Sequence, residues 1–307
     1  MQRTPTPTAA TAKRRIALLA LVAAMVVWGT TFVVTKAAVQ QFPPFTLAFL
    51  RFAIATAVLV PFLRGGSLAA LRGSVSIGRL TFLAFTGIAV FTVTFNFALI
   101  YGSAAQGALL YATIPAVVGV CAVLFLKERL SRRRILGITL SVAGAALIVA
   151  TGEARADDAP APLLGAALML STVLLWGAYT VAAKPIAAAD QTAVTFAMSA
   201  VGALLLLPTS ALELAAMPWP VTSADGWLGV VYLAVFASAG AYALFNFALR
   251  ELDASTVGAL TNIDPIVGLA TAFVVLGETL LPVQALGAAV VIAGMWLAST
   301  EARPQTR

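Results

Sequence analysis

The chain has 307 residues, of which 61% are hydrophobic and only 10% are charged, and its formal net charge is +7. Soluble domains contain about 25% charged residues, so this composition excludes a mainly water-facing surface and indicates a protein that faces lipid. Because the Lys and Arg residues gather at the ends of apolar segments, their charge indicates topology and contact with anionic membrane lipid, and not nucleic acid.

Ten apolar segments follow one another along the chain, each close to the ~20 residues that a membrane-spanning helix needs. Short stretches rich in Gly, Pro or charge separate them. No Ala-x-Ala-like cleavage site follows the basic N-terminal residues, so we interpret the first segment as an uncleaved span. The sequence therefore predicts an all-α polytopic membrane protein with spans at 16–38, 45–63, 79–99, 104–126, 134–151, 163–183, 191–211, 226–247, 255–276 and 282–299.

The basic residues indicate the orientation of these spans. With the N-terminus in the cytoplasm, nearly all Lys and Arg residues between spans fall on the cytoplasmic side, and Arg155 falls outside. This asymmetry is what the positive-inside rule requires. We therefore expect a multi-pass membrane protein, with the tails 1–15 and 300–307 both cytoplasmic.

The second half of the chain repeats the first. The segment 95–99 recurs as 245–249, and the match continues without a gap through Pro, Glu and paired Gly residues. A unit of five helices is odd, so the two copies, 16–151 and 163–299, must enter the membrane from opposite sides. Inverted repeats of this kind are typical of transporters, and the halves should superpose after a rotation of about 180° about an axis in the membrane plane.

The residue inventory argues against several kinds of chemistry. The chain has no histidine and one cysteine, Cys121, so haem ligation by His, His-based metal sites, Ser-His-Asp hydrolysis and an intrachain disulfide are all excluded. We expect no catalytic residue, metal or cofactor, and no enzyme activity. No segment is long enough for the soluble domain of a receptor or scaffold, and nothing in the sequence requires an oligomer.

Several short motifs together resemble the drug/metabolite transporter superfamily, EamA type, a family of ten-helix bacterial metabolite exporters. The resemblance covers nearly the whole chain after residue 16, and within the family it is closest to amino-acid exporters, including the aromatic amino-acid exporter. It is carried by Trp28-Gly29-Thr30-Thr31-Phe32, Lys36, Pro44, Leu50-Arg51-Phe52, Asn96-Phe97-Ala98-Leu99, Pro115, Phe125-Leu126-Lys127-Glu128-Arg129-Leu130, Gly137, Gly144 and Gly277-Glu278-Thr279-Leu280.

The resemblance implies a central cavity lined by spans one to four and six to nine, with spans five and ten at the periphery. It implies export of small metabolites, foremost amino acids including aromatic ones, by alternating access; the alternative is a multidrug or organic-cation exporter. Small multidrug-resistance relatives carry an embedded Glu in their first helix. Neither 25–36 nor 173–184 contains an acid, so their cation-for-proton exchange is not implied here.

Two charges fall inside predicted spans. Asp264 lies mid-span directly before Pro265, and intramembrane acids usually have a function because burying a charge there is costly. It could contact a substrate amine or carry a proton, or it could be a carboxylate satisfied locally at a kink. Arg51 could attract a substrate carboxylate through its planar donor fork, or it could extend to the interface or form a structural pair.

The other candidate substrate contacts are aromatic or polar. Aromatic residues on spans one and six could form a cavity wall that stacks on rings or cations, or could be ordinary packing. Phe85, Thr92 and Asn96 share a face of span three, and Ser238, Tyr242 and Asn246 share a face of span eight. The two asparagines could bind substrate or link helices. With Asp264, the candidates are Trp28, Phe32, Phe85, Asn96, Trp176, Tyr179, Ser238, Tyr242 and Asn246.

Two further sets of residues have structural interpretations. Gly137 and Gly144, like Gly287 and Gly294, lie one heptad apart and should let another helix approach closely. Near the helix ends, lysines are expected to extend to the interface and glutamates to hold loops; these are Lys36, Lys184, Glu128 and Glu278.

The predicted topology can be tested with reporter fusions. A reporter placed after Arg307 should lie in the cytoplasm, and one inserted between Gly152 and Pro162 should lie outside, because five spans separate the segment 152–162 from the C-terminus. Reporters that lie on the same side would contradict the ten-span map.

Overall fold

The computed structural model describes residues 7–127, 131–150, 159–183, 186, 189–217, 222–252, 257 and 260–299. No β-strand occurs in these residues, which confirms the predicted all-α class. Lys184 and Glu128 lie outside the described residues, so nothing is added to their interpretation.

The helices follow the predicted spans closely. Two of them contain a π-helical segment, Phe85–Ala89 in the fourth and Tyr232–Gly240 in the tenth. In chain order the helices are α1 (Pro7–Ala38), α2 (Pro44–Leu59), α3 (Ser67–Ser74), α4 (Ile77–Tyr101), α5 (Ala104–Tyr111), α6 (Ile114–Leu126), α7 (Arg132–Ala150), α8 (Pro162–Ala183), α9 (Gln191–Ala216), α10 (Ala224–Glu251), α11 (Ile263–Leu276) and α12 (Pro282–Ser299).

Length and composition qualify eight helical segments of the described residues as membrane spans, with α5 and the greater part of α6 counted as one. The last two predicted spans correspond to shorter apolar helices, Ile263–Leu276 and Pro282–Ala298. The predicted ninth span started at residue 255, whereas α11 starts after a turn at Thr261 and Asn262. The multi-pass helical architecture is therefore confirmed, and the count of ten remains a prediction.

The bundle has two ends that contacts between helices identify. At one end, which we call the termini end because α1 begins there, Lys13 forms an ion pair of 2.7 Å with Glu251 at the end of α10. At the far end, Lys36 donates hydrogen bonds of 2.8 Å to the carbonyls of Leu99 and Gly102, next to the end of α4. Because Ala161, just before α8, bonds the carbonyl of Tyr101 at that same end, α8 runs opposite to α1. The inversion of the whole second repeat remains a prediction.

The placement of Lys36 differs from the expectation that it would extend to the interface. Its side chain is only 4% exposed, and its ammonium group bonds backbone carbonyls that α4 leaves free at its C-terminus. A helix C-terminus has four carbonyls without intrahelical partners and a partial negative charge, which an ammonium group can compensate. Such compensation makes burial of the lysine possible in an apolar bundle.

Four glycines join α7 and α12, as the small-residue pattern predicted. A Cβ atom on Gly144 would lie 2.7 Å from the carbonyl oxygen of Gly287, and one on Gly294 would lie 2.5 Å from the amide nitrogen of Ser141. Gly137 is equally close to backbone atoms of Gly294. The two helices therefore touch backbone to backbone, which only glycine permits at this spacing.

This joint predicts a strong effect for a single added methyl group. Gly144→Ala should lower the melting temperature of the purified protein in detergent, because overpacking a close contact costs about 1–3 kcal/mol. Gly73→Ala in α3 is the matched control, since a Cβ there meets no atom within 4 Å. Equal melting temperatures for the two variants would contradict backbone contact between α7 and α12.

Candidate functional site

Helices are interrupted by turns at related positions in the two halves. The turn at Ala112 and Thr113 separates α5 from α6, and the turn at Thr261 and Asn262 precedes α11. The repeat pairs these turns to within one residue. Each is followed by a proline, Pro115 or Pro265, whose ring clashes with the carbonyl four residues earlier and which has no N–H to donate. The prolines therefore account for the breaks, and discontinuous helices of this kind commonly form transporter sites.

The π-helical segments of α4 and α10 are a second pair of related irregularities. In α10 the segment presents two acceptors toward neighbouring helices. The carbonyl of Ala237 accepts a 2.9 Å hydrogen bond from the indole Nε1 of Trp28, and the hydroxyl of Ser238 accepts a 2.8 Å bond from Nε of Arg51. Single π-helical turns are frequent at functional sites because they re-aim side chains and free backbone groups.

Gly87 in the π-helical segment of α4 makes room for Tyr179 of α8. A Cβ atom on Gly87 would lie 2.5 Å from Cδ2 of the tyrosine ring. The ring of Tyr179 in turn lies 5.1 Å from that of Trp176. The irregular turn thus seats one of the predicted aromatic residues against the inner surface of the first repeat.

The centre of the bundle contains an acid and a base that do not pair with each other. Asp264 is the second residue of α11, and its Oδ1 is buried without a hydrogen-bond partner. Arg51 bonds Ser238, and its guanidinium carbon lies 5.3 Å from the ring centre of Phe52. Neither residue forms a salt bridge, as the one found in the described part of the chain joins Lys13 to Glu251. Arg51 is therefore held within the bundle by α10.

Three tyrosines, Tyr111, Tyr179 and Tyr242, lie near these two charges or near one another. Tyr111 lies within electrostatic range of both Arg51 and Asp264, and Tyr242 lies within range of Arg51, Tyr111 and Tyr179. None of these three hydroxyls has a hydrogen-bond partner among the described residues. Tyr232 differs, since its hydroxyl lies 2.5 Å from that of Thr30. The hydroxyls of Tyr111, Tyr179 and Tyr242 are therefore available to bond a ligand.

The two predicted tryptophans have different surroundings. Trp28 uses its indole N–H on Ala237 and packs against Tyr242 and Phe245 at ring distances of 5.2 and 5.3 Å. Trp176 packs against Phe91 and Tyr179, and its N–H has no acceptor in the described part of the chain. Trp28 is thus tied into the structure, while Trp176 can still offer its N–H to a ligand.

The remaining predicted residues lie outside this central cluster. Phe32 is buried behind it, packed against Tyr111 and Phe95. Asn96 is buried and donates a 2.8 Å hydrogen bond to the carbonyl of Pro44, which links α4 to the start of α2. Phe85 is 49% exposed at the surface of the bundle.

Phe85 was expected on the same face of α4 as Thr92 and Asn96. That expectation assumed a regular α-helix between them. The π-helical segment at Phe85–Ala89 holds one more residue per turn, which rotates Phe85 relative to the residues that follow. Thr92 and Asn96 accordingly stay buried while Phe85 is exposed.

Asn246 lines a cavity at the termini end of the bundle. The cavity has a volume of about 490 Å³ and lies between the ends of α2 and α10 and the start of α9. Asn246 lies one helical turn from Tyr242, between the central cluster and this opening. The other residues of the wall are Arg64, Ala189, Asp190, Gln191, Leu249 and Arg250.

Sequence reasoning missed Tyr111. Its position directly before the break that Pro115 causes, and opposite the break that precedes Asp264, is the signal that could have identified it. No group of three or more Cys, Asp or Glu side chains in the described part of the chain is arranged to hold a metal ion.

The chain is similar in sequence to several bacterial transporters along most of its length. It is 28% identical to the uncharacterized transporter YetK of Bacillus subtilis, with 93% of this chain and 87% of that protein aligned. It is also 28% identical to a probable terminal-alkyne amino-acid exporter of Streptantibioticus cattleyicolor, over 92% of both chains. A probable amino-acid metabolite efflux pump of Salmonella typhimurium is 28% identical, over 92% of this chain and 94% of that one.

A solved structure, titled only as a crystal structure of a protein, shares the fold. Its TM-score is 0.59 at 20% identity, and the alignment covers 92% of this chain and 96% of that one. The sequence model of the EamA-like transporter family matches residues 15–150 and 163–300, which correspond to the two halves of the internal repeat. As these two segments make up most of its length, the chain belongs to the EamA-like transporter family.

Proposed function

We propose that this transporter exports small zwitterionic metabolites, namely amino acids including aromatic ones, by alternating access. In this proposal ten spans form two inverted repeats, 16–151 and 163–299, in a bacterial inner membrane with both termini in the cytoplasm. The substrate binds between the halves, at the cluster of Arg51, Tyr111, Tyr242 and Asp264. The amino-acid exporters among the relatives support the direction and the class of substrate.

The observation that carries the proposal is the unpaired acid and base at the centre. A charge inside the bundle that has no opposite charge beside it is costly, so a protein that keeps two such charges should gain when a ligand compensates both. An amino acid does so, with its ammonium group at Asp264 and its carboxylate at Arg51. In a site of low dielectric these contacts are much stronger than in water.

An organic-cation exporter is the alternative that the aromatic residues and Asp264 would also suit. Rings and a carboxylate together attract cations. Arg51 disfavours it, since a cation that lacks a carboxylate would lie near an uncompensated guanidinium group. The structure brings Arg51 to the cluster through its bond to Ser238, so the zwitterion fits the charges better.

The cavity at the termini end suits loading of substrate from the cytoplasm. That end is predicted to be cytoplasmic, and the cavity leads toward Tyr242 by way of Asn246. Arg64, Asp190 and Arg250 give its mouth both signs of charge, which suits a zwitterion. In the proposal, substrate enters through this cavity and passes Asn246 to the central cluster.

The proposal predicts that the protein binds both the ammonium and the carboxylate group of a substrate. Tryptophan should bind the purified protein at least about 10-fold more tightly than tryptamine or indole-3-propionate, because each analogue lacks one charge-assisted contact. Asp264→Asn should impair transport without abolishing folding, and it should remove the preference for tryptophan over indole-3-propionate. Arg51→Gln should remove the preference over tryptamine. Isothermal titration in lipid nanodiscs measures all three affinities.

Arg64→Gln is the control for this experiment, since it removes a positive charge from the cavity mouth and leaves the central cluster intact. Its preferences should equal those of the natural protein. Tryptamine binding as tightly as tryptophan would refute the zwitterion and support the organic-cation exporter.

The tryptophans should differ in what they contribute. Trp176→Ala should weaken the binding of tryptophan several-fold and leave alanine nearly unaffected, since an aromatic pair contributes about 0.5–1.5 kcal/mol beyond the area it buries. Trp28→Ala should weaken both substrates, because Trp28 also ties α1 to α10 through Ala237. Trp28→Phe keeps the ring and isolates the loss of that bond.

The measurement is competition by each amino acid in vesicles that contain the transporter. If Trp176→Ala weakened alanine and tryptophan equally, Trp176 would pack helices and would not contact the substrate side chain.

A further inference from the structure

At the far end of the bundle, two carboxylates of the second half cap helices of the first half. We propose that Glu213 and Glu278 together form the gate on the side where substrate leaves, and that both carboxylates must release their helix N-termini before that side can open. The consequence for export rests on the proposed function, whereas the existence of the gate can be tested without any substrate.

Glu278 lies in the second half, directly after α11, and reaches the start of α5 in the first half. Its two carboxylate oxygens accept hydrogen bonds of 2.9 and 2.6 Å from the amides of Ala104 and Ala105. The side chain is only 6% exposed. A carboxylate at a helix N-terminus satisfies free amides and interacts favourably with the helix dipole.

Glu213 makes the same kind of contact to the start of α2. Its carboxylate accepts hydrogen bonds from the amides of Phe45 and Thr46, at 3.3 and 2.7 Å, and from the hydroxyl of Thr46 at 2.8 Å. Pro43 and Pro44 have no N–H, so Phe45 and Thr46 carry the first amides of α2. Glu213 thus satisfies groups that cannot stay unpaired next to lipid.

Both contacts cross from one half of the chain to the other. Glu213 belongs to α9 and Glu278 follows α11, while the helices they cap, α2 and α5, precede residue 151. Any motion that separates the halves at the far end must break both contacts. The bond that Lys36 makes to Gly102 differs, because it lies within the first half and can persist during such a motion.

Each contact is also connected to a charge of the central site through one helix. Arg51 and Thr46 lie on α2, about 7 Å apart along its axis at 1.5 Å per residue. Asp264 begins α11 and Glu278 follows its end, about 20 Å further along. Movement of α2 when substrate binds would therefore reach the gate directly, and movement of α11 would reach it through Gly277.

Hydrogen exchange of the full-length protein in lipid nanodiscs tests whether the two carboxylates act together. Glu278→Ala should speed exchange about 10-fold at the amides of Ala104 and Ala105, which lose their acceptor. If the gate opens as one unit, the same variant should also speed exchange at Phe45 and Thr46, which Glu278 does not touch. Glu213→Ala should produce the reciprocal effect.

Glu251→Ala is the matched control, because Glu251 forms its ion pair at the opposite end of the bundle and should leave all four amides unchanged. Faster exchange confined to the amides that the altered carboxylate contacts would show two independent caps and would overturn the gate, as would no change. Should an alanine variant exchange quickly throughout the chain, it has unfolded, and Glu278→Gln and Glu213→Gln, which retain one acceptor, decide by the same criterion. Because no substrate is present, the result stands whether or not amino acids are transported.

Discussion

A backbone group inside a lipid bilayer must find its hydrogen-bond partner within the protein, and the structure of this transporter depends on that constraint. Regular helices meet it by themselves, which is why the described chain is almost entirely helical. Every departure from regular helix then requires a specific partner. The carbonyl of Ala237 in the π-helical segment of α10 has Trp28, the first amides of α2 have Glu213, and the carbonyls at the end of α4 have Lys36. Irregular backbone and polar side chains therefore occur together, and they do so at the centre and the far end of the bundle.

The helices were predictable because their apolar length is a property of the sequence alone. The span predicted at 45–63 corresponds to α2 and the turn after it, and the one at 134–151 corresponds to α7. The central irregularities were not predictable in the same way. A π-helical turn leaves no compositional signal in Phe85–Ala89, so the exposure of Phe85 could not be foreseen. Pro265 indicated a kink next to Asp264, but the break before Pro115 was not predicted, and neither was the position of Tyr111 near both Arg51 and Asp264. Charge pairing depends on contacts between distant helices, which explains why Lys36 was placed wrongly.

The two halves have backbone irregularities at related positions, but their charged residues lie at different positions. Helix breaks, π-helical segments and closely packed glycines occur at related positions. In contrast, the position equivalent to Asp264 in the other repeat is Ile114, and the position equivalent to Arg51 is Ser199. Under the proposed alternating access, related backbone irregularity in both halves would let the scaffold adopt two equivalent arrangements. The unequal charges give the space between the halves a polarity that a symmetric site would lack. A ligand with one positive and one negative group would then have a single preferred orientation, as a transporter needs if it is to distinguish amino acids by their side chains.

The contacts between the halves differ in how they respond to motion. Along the seam of α7 and α12, glycine backbones touch through dispersion and close packing, without a charged side chain at the four glycines. Such contacts change gradually when helices tilt or slide, and their cost rises smoothly. Glu213 and Glu278 behave differently, because a charge-assisted hydrogen bond weakens steeply once its geometry is lost and a carboxylate removed from its amides needs water. The seam can thus serve as a joint that stays assembled, while the carboxylates favour either full closure or full opening. A transporter that must never be open on both sides at once needs such a discontinuous change, since a gradual one would leave a half-open far end while the termini end is still accessible.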